Sequence, residues 1–199
     1  MKQYLTRWTL SLTAITAFLL IGPASLAAQE TQTFKADLAH SDVMFRANHL
    51  DIGYTFGEFL KYDATLKYDK KDVSNSSLNV TIQADSVETH QDKRDKHLKG
   101  PDFLNAKKNG DITFESKKVK RIDDETLEVS GDLTIRGTTK PITIEVKELG
   151  SGKDPEGHFR RGFYTEFDIN RLDYGVDWNP KVVGKNLRII LAFEFVKKK

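Results

Sequence analysis

From about residue 43 to residue 195 the chain alternates apolar and polar side chains with a period of two, the spacing at which a strand presents one face to a core and the other to water. Val43, Phe45, Ala47 and His49 share one face of the first segment, and Met44, Arg46 and Asn48 take the other. The alternation returns at Leu60, Tyr62, Ala64, Leu66 and Tyr68, then at Leu78, Val80, Ile82 and Ala84, and briefly at Ile112 and Phe114. Leu127, Val129, Gly131, Leu133 and Ile135 form a fifth set, and Ile142, Ile144 and Val146 a sixth. Phe163, Thr165, Phe167 and Ile169 form a seventh, and Leu187, Ile189, Leu191, Phe193 and Phe195 the last. The pattern predicts an all-β chain of about eight strands.

Turn chemistry separates the segments. Asp69 to Asp72 and Ser74 to Ser76 fall between the second and third, and Ile122 to Glu125 between the fourth and fifth. Gly150 to Gly157, with Pro155, reads as a polar loop before the seventh. Pro141 stands at a strand start, where its missing N–H does little harm. Arg136 to Lys140 reads as a hairpin tip with Gly137 at the position a side chain would resist. An antiparallel meander of this kind avoids exposed edges by closing into a barrel; an open sandwich is the alternative that alternation leaves standing. One segment breaks the period. Thr89 to Leu98 is strongly charged, with Thr89 as the expected cap of a short helix and Gly100-Pro101 as its end. This helical excursion, with Asp102 to Asn105 as a further turn, separates the third and fourth strands and lies across one end or side of the barrel.

The N-terminus has a different character. Lys2 and Arg7 precede an apolar run, Trp8 to Ile21, that Gly22-Pro23 interrupts. The run is shorter than the roughly 20 residues that span a bilayer, and Ser25-Leu26-Ala27 offers the small residues that a signal peptidase reads. Residues 1–27 are therefore expected to be a cleaved signal peptide and residues 28–199 a single periplasmic domain. Without Lys2 and Arg7, the 31 basic residues become 29 and match the 29 acidic ones. A neutral mature chain argues against nucleic acid as partner. There is no cysteine, which removes disulfides, thiolate metal sites and cysteine nucleophiles.

Eleven residues carry the most information: Leu133-Thr-Ile-Arg-Gly-Thr-Thr-Lys-Pro-Ile-Thr143. With His40 to Leu50, Gly57-Glu58-Phe59, Ser86 to Thr89, Arg94 to Leu98, Asp102-Phe103-Leu104, Ile112 to Ser116 and Arg171 to Gly175, they occur in the order seen in the YceI-like family, which the chain resembles from about Phe34 to its end. One departure is Lys108-Asn109-Gly110-Asp111, where members often carry Lys, an aromatic residue and Pro. The resemblance implies an eight-stranded antiparallel lipocalin-like β-barrel with a short helical excursion between the third and fourth strands. It also implies a periplasmic protein that holds a long-chain isoprenoid, a polyprenyl, quinone-like or isoprenyl phosphate lipid, with membrane or respiratory proteins as transient partners. A dimer is compatible with the sequence.

An eight-stranded barrel is just wide enough to be filled by side chains or to hold one ligand. On the second reading, Phe45, Phe59, Leu98, Phe103, Phe114, Leu133, Phe163 and Phe167 contact the lipid chain. Each buried CH₂ contributes roughly 0.8 kcal/mol, so a dozen supply about 10 kcal/mol before the cost of immobilisation. His49, at the end of a strand shared with Phe45, is expected near a head group, and Arg94 could fork onto an anionic one. His40, His49, His90 and His97 form no metal-binding motif, and no GxSxG elbow is present. The expectation is thus binding without catalysis and without a cofactor. A lipid-acting hydrolase or isomerase using His49 as base, and a packed barrel that partners a membrane enzyme, are the readings it competes with.

Overall fold

A computed structural model describes residues 31–198; the expected signal peptide lies outside the described residues. The elements run β1 (Gln32–Ala36), β2 (Asp42–His49), β3 (Gly53–Phe59), β4 (Tyr62–Tyr68), β5 (Ser77–Gln83), β6 (Val87–Glu88), α1 (Asp92–Lys99), β7 (Asp111–Arg121), β8 (Thr126–Ile135), β9 (Thr138–Lys153), β10 (Phe159–Asn170) and β11 (Val183–Lys197). All the pairings are antiparallel. Three staves are broken into two strands each: β1 continues as β2, β3 as β4, and β5 as β6. So counted, eight staves follow one another around the sheet, and β11 returns to pair with both β1 and β2. The result is the expected closed eight-stranded barrel.

Three features depart from the periodic reading, each for a physical reason. β3 was not visible in the alternation because its apolar residues point outward. Tyr54 and Phe56 are 60% and 58% exposed while Gly57 faces in, so the usual sign of the pattern is inverted. Leu60, expected on an inward face, is exposed at the break between β3 and β4. β9 does not stop before Gly150 but continues to Lys153, and the connecting loop shrinks to 154–158. The β9–β10 ladder runs from Phe159↔Lys153 to Tyr164↔Lys147, with a bulge at Gly162/Phe163. Beyond it the Thr165 hydroxyl donates to the Glu145 carbonyl at 2.6 Å.

α1 begins two residues later than the sequence suggested. Gln91, not Thr89, is the N-cap, and its side-chain oxygen accepts from the Lys93 and Arg94 amides at 2.7 and 3.2 Å. Gly100 caps the far end, as expected. The hairpin between β8 and β9 has the two-residue tip Arg136-Gly137, with φ of 51° and 75°, the pair of positive values that defines a type I′ turn and matches the twist of the strands. A left-handed arginine is unfavourable. Its guanidinium offsets this by donating to the Gly175 carbonyl and, at 2.7 Å, to the Pro101 carbonyl. The turn therefore fastens two neighbouring loops.

The barrel closes through a short ladder, Phe34↔Lys197 to Ala36↔Phe195. Arg160 braces that seam from outside. It donates to Asp154 at 2.7 Å, to Asp37 at 2.5 Å and to Glu194 at 2.5 Å, joining the β9–β10 loop, the β1–β2 break and β11. The Arg160 bond holds the Asp37 carboxyl at about 2, with His40 contributing. The same arginine holds Asp154 at about 2, with His158 contributing.

Two outcomes follow from these contacts. Gly137→Val forces a β-branched residue into the left-handed region and brings a Cβ to 3.0 Å from the Asn109 amide oxygen; urea unfolding should register a loss of about 1–3 kcal/mol. Carboxyls with depressed pKa stabilise the fold above their ordinary value near 3.8, and that contribution fades as pH falls toward 2. The melting temperature of Arg160→Gln should therefore lie below that of the wild type at neutral pH, and the gap should narrow between pH 4 and pH 2. A gap that is constant across that range would contradict the assignment.

Candidate functional site

The inward rows of the staves do not fill the bore. They enclose an apolar cavity of about 220 Å³, larger than the engineered cavities of about 150 Å³ that stay dry and take up apolar guests. Phe45, Phe114, Leu133, Phe163 and Phe167 line it from β2, β7, β8 and β10. Phe59 lines it from the end of β3, Leu98 from α1, and Phe103 from the turn that follows. Phe45 is directly paired with Gly57. A Cβ on Gly57 would lie 2.4 Å from the Phe45 ring and 2.7 Å from the Thr89 methyl, so this glycine gives the ring its place.

His49 and Arg94 are not brought to this wall. His49 is exposed at the end of β2. Arg94 is held by Thr89: Nε donates to Oγ1 and a terminal nitrogen to the carbonyl oxygen, both at 2.7 Å. Thr89 in turn donates to the buried carboxylate of Asp95 at 2.5 Å. This cluster fixes the first turn of α1 to β6. The other histidines have separate local contacts. His40 bonds Asp37 at 2.8 Å, His90 lies 3.7 Å from Glu88, and His97 bonds Asp102 at 2.8 Å.

α1 and its flanking loops lid one end of the barrel. His97 stands edge-on to Phe103 and Trp178, with centroids 4.9 and 5.0 Å away, and these two rings are 5.3 Å apart. Behind them lies Arg171, only 2% exposed. Its guanidinium donates to four main-chain carbonyls: Gly184 at 2.9 Å, Val176 at 2.6 Å, Trp178 at 2.9 Å and Val183 at 2.6 Å. Burial lowers its pKa. These bonds fold the loop between β10 and β11 around one side chain. Arg171 was read from sequence only as the start of a loop motif and not as a site residue, although it continues the odd-numbered inward row of Phe163, Thr165, Phe167 and Ile169 by one more step.

That row is bounded at its other end by Arg161, 9% exposed. Its guanidinium carbon lies 4.1 Å over the Tyr68 ring and 5.9 and 5.6 Å from the Phe34 and Phe159 rings. Tyr68 donates to Glu148 at 2.7 Å, and Arg121 bonds both the Tyr68 oxygen, at 3.1 Å, and Glu148. Burial, followed by the Glu148 contact, raises the Tyr68 pKa.

A closed antiparallel meander with a ligand-sized apolar bore defines the class: a lipocalin-like barrel. The YceI-like domain matches residues 34–195, and the chain belongs to the YceI-like family. It is 37% identical to protein YceI of Salmonella newport over the full length of both chains, and 36% identical to a UPF0312 protein of Pectobacterium atrosepticum over 98% of this chain and all of that one. Among solved structures, Campylobacter jejuni YCEI superposes with a TM-score of 0.70 at 32% identity, covering 76% of this chain and 90% of that one. Burkholderia cenocepacia BcnA shares the fold with a TM-score of 0.74 at 24% identity, over 80% and 98% of the two chains. A Saccharophagus degradans domain described as polyisoprenoid binding shares it with a TM-score of 0.64 at 13% identity, over 85% of this chain and all of that one.

The lid makes one energetic demand that can be measured. Arg171→Lys keeps the charge but cannot serve four carbonyls in a fixed fork. Buried carbonyls left without donors cost about 1–3 kcal/mol each when water cannot replace them. Urea unfolding of Arg171→Lys should show a loss of about 2–4 kcal/mol, and an unchanged midpoint would rule out this role.

Proposed function

We propose that the protein is a periplasmic carrier that holds the chain of a long isoprenoid lipid in the barrel and performs no chemistry on it. The observation that carries this reading is the state of the polar groups along the wall. Thr165 donates to a main-chain carbonyl, Tyr68 to Glu148, and Arg171 to four carbonyls, while Ser76 accepts from the Asp69 amide. What they leave facing the bore is hydrocarbon and aromatic surface, which recognises an apolar chain by area and shape. Phe45, Phe59, Leu98, Phe103, Phe114, Leu133, Phe163 and Phe167 are its contacts in this reading. The isoprenoid class is supported by the Saccharophagus degradans domain of the same fold, described as polyisoprenoid binding. The periplasm is supported by the leader-like pattern of residues 1–27. Loading and delivery imply transient contact with a membrane or a membrane protein.

The test is native mass spectrometry of protein purified from the periplasm, followed by lipid extraction and N-terminal sequencing. The expected result is a mature chain starting near Ala28 with one extractable isoprenoid per barrel. Protein that carries no lipid, or that begins at Met1, would overturn the corresponding half of the reading. Phe163→Leu widens the bore while keeping it apolar. It should cost about 1–2 kcal/mol, less than the roughly 3–5 kcal/mol of a Phe→Ala change, and should alter which chain lengths are recovered.

A further inference from the structure

We propose that Tyr68 is the chain-length stop of the tunnel, held rigid by Glu148, Arg121 and Arg161 so that the far end of a bound hydrocarbon chain abuts its ring. This inference rests on the reading that the barrel binds a lipid chain, and it adds the residue that limits the chain.

The cavity wall ends at this point. Tyr68, Phe163 and Phe195 line it, whereas Phe34, Phe159 and Arg161, the next side chains toward the β1 end, do not. The centroid of the Tyr68 ring lies 6.3 Å from that of Phe163, and the Phe163 and Phe195 centroids are 5.9 Å apart, so three rings meet across the bore. Behind Tyr68 the chemistry changes. The Glu148 carboxylate takes the Tyr68 hydroxyl at 2.7 Å, and Arg121 reaches both groups. Arg161 lies 4.1 Å over the face of the Tyr68 ring and 3.7 Å from Glu148. Its Nε is buried with no hydrogen-bond partner among the described residues; the Glu148 carboxylate and the aromatic faces around it compensate the charge.

Tyr68 is thus clamped at its hydroxyl and on one face, and turning it aside would break several contacts at once. A methylene pushed past it would also have to part the hydroxyl from Glu148 and push the buried Arg161 guanidinium off the ring face. Burying unpaired charge costs more than burying one methylene returns. Chain added up to the ring gains affinity, and chain added beyond it gains none. At the opposite end the lid presents Leu98, Phe103 and Leu104 from α1 and the turns after it.

The experiment measures displacement of N-phenyl-1-naphthylamine from the purified mature protein by straight-chain primary alcohols from decanol to docosanol. In the wild type, affinity should rise about fourfold per added methylene up to a break and then level off. Tyr68→Ala should move the break to longer chains by at least two methylenes and leave the shorter alcohols within about twofold of wild type. Val119→Phe adds bulk to the buried wall just short of the stop and should move the break to shorter chains. If Tyr68→Ala does not fold, Val119→Phe decides the matter alone. A break that stays in place in the variants, or a Tyr68→Ala protein that loses affinity equally at every length, would overturn the stop while leaving lipid binding intact. Failure of every alcohol to displace the probe from the wild type would overturn the lipid-binding reading and this inference with it.

Discussion

Everything in this structure depends on one strand serving two partners. β11 pairs with β2 from Val183 to Ala192 and with β1 from Phe195 to Lys197, so a single fifteen-residue strand gathers both halves of the first stave. The break between those halves, a single 3₁₀ turn at Leu38–His40, lets the stave change direction without losing its partner. Closure removes the free edges that would otherwise template aggregation and creates an inside. Only because the ring is complete do alternate side chains of eight staves face one another across a bore. The β1 part of the closing ladder is short, and Arg160 gathers three carboxylates beside it.

The two ends of the bore are built from different materials. At the α1 end, the two arginines that bind the loops are satisfied by main chain: Arg171 is wrapped in carbonyls and Arg136 reaches across to two loops. At the other end, charge is satisfied by side chains, with Tyr68, Glu148, Arg121 and Arg161 in mutual contact. The segment from Leu133 to Thr143, the most distinctive stretch of the sequence, places its arginine among the loops at the α1 end. Its tip does architectural work, tying the lid to a β-hairpin, while Leu133 and Ile135 on the strand before it line the bore.

Much of the fold was legible because period-two patterns are set by the strand itself. The parity of Phe45, Phe114, Leu133, Phe163 and Phe167 was enough to put them on one wall. β3 was hidden because Tyr54 and Phe56 face water, and β1 because five residues offer too few alternations. The start of α1 turned on which of two polar residues reached the amides, a choice made by backbone geometry that composition does not encode. His49 and Arg94 were drawn toward the bore by their chemistry, but one stands exposed at the last position of β2 and the other is bound to Thr89. Arg161 went unnoticed, and Arg171, although part of the Arg171 to Gly175 motif, was not placed inside, for the converse reason. An arginine beside a strand usually marks solvent, and only continuing the parity of the phenylalanine row would have placed them inside.

The β9–β10 seam has one further consequence. The wall of a closed barrel is normally held by a ladder of amide bonds that give way together. Here the ladder runs only to Tyr164↔Lys147, and a threonine hydroxyl makes the next link to Glu145. Toward the lidded end the cohesion of the wall passes to side chains, which can separate one contact at a time. The cylinder therefore has one line, between β9 and β10 toward the lidded end, along which its wall is held by fewer amide bonds than elsewhere.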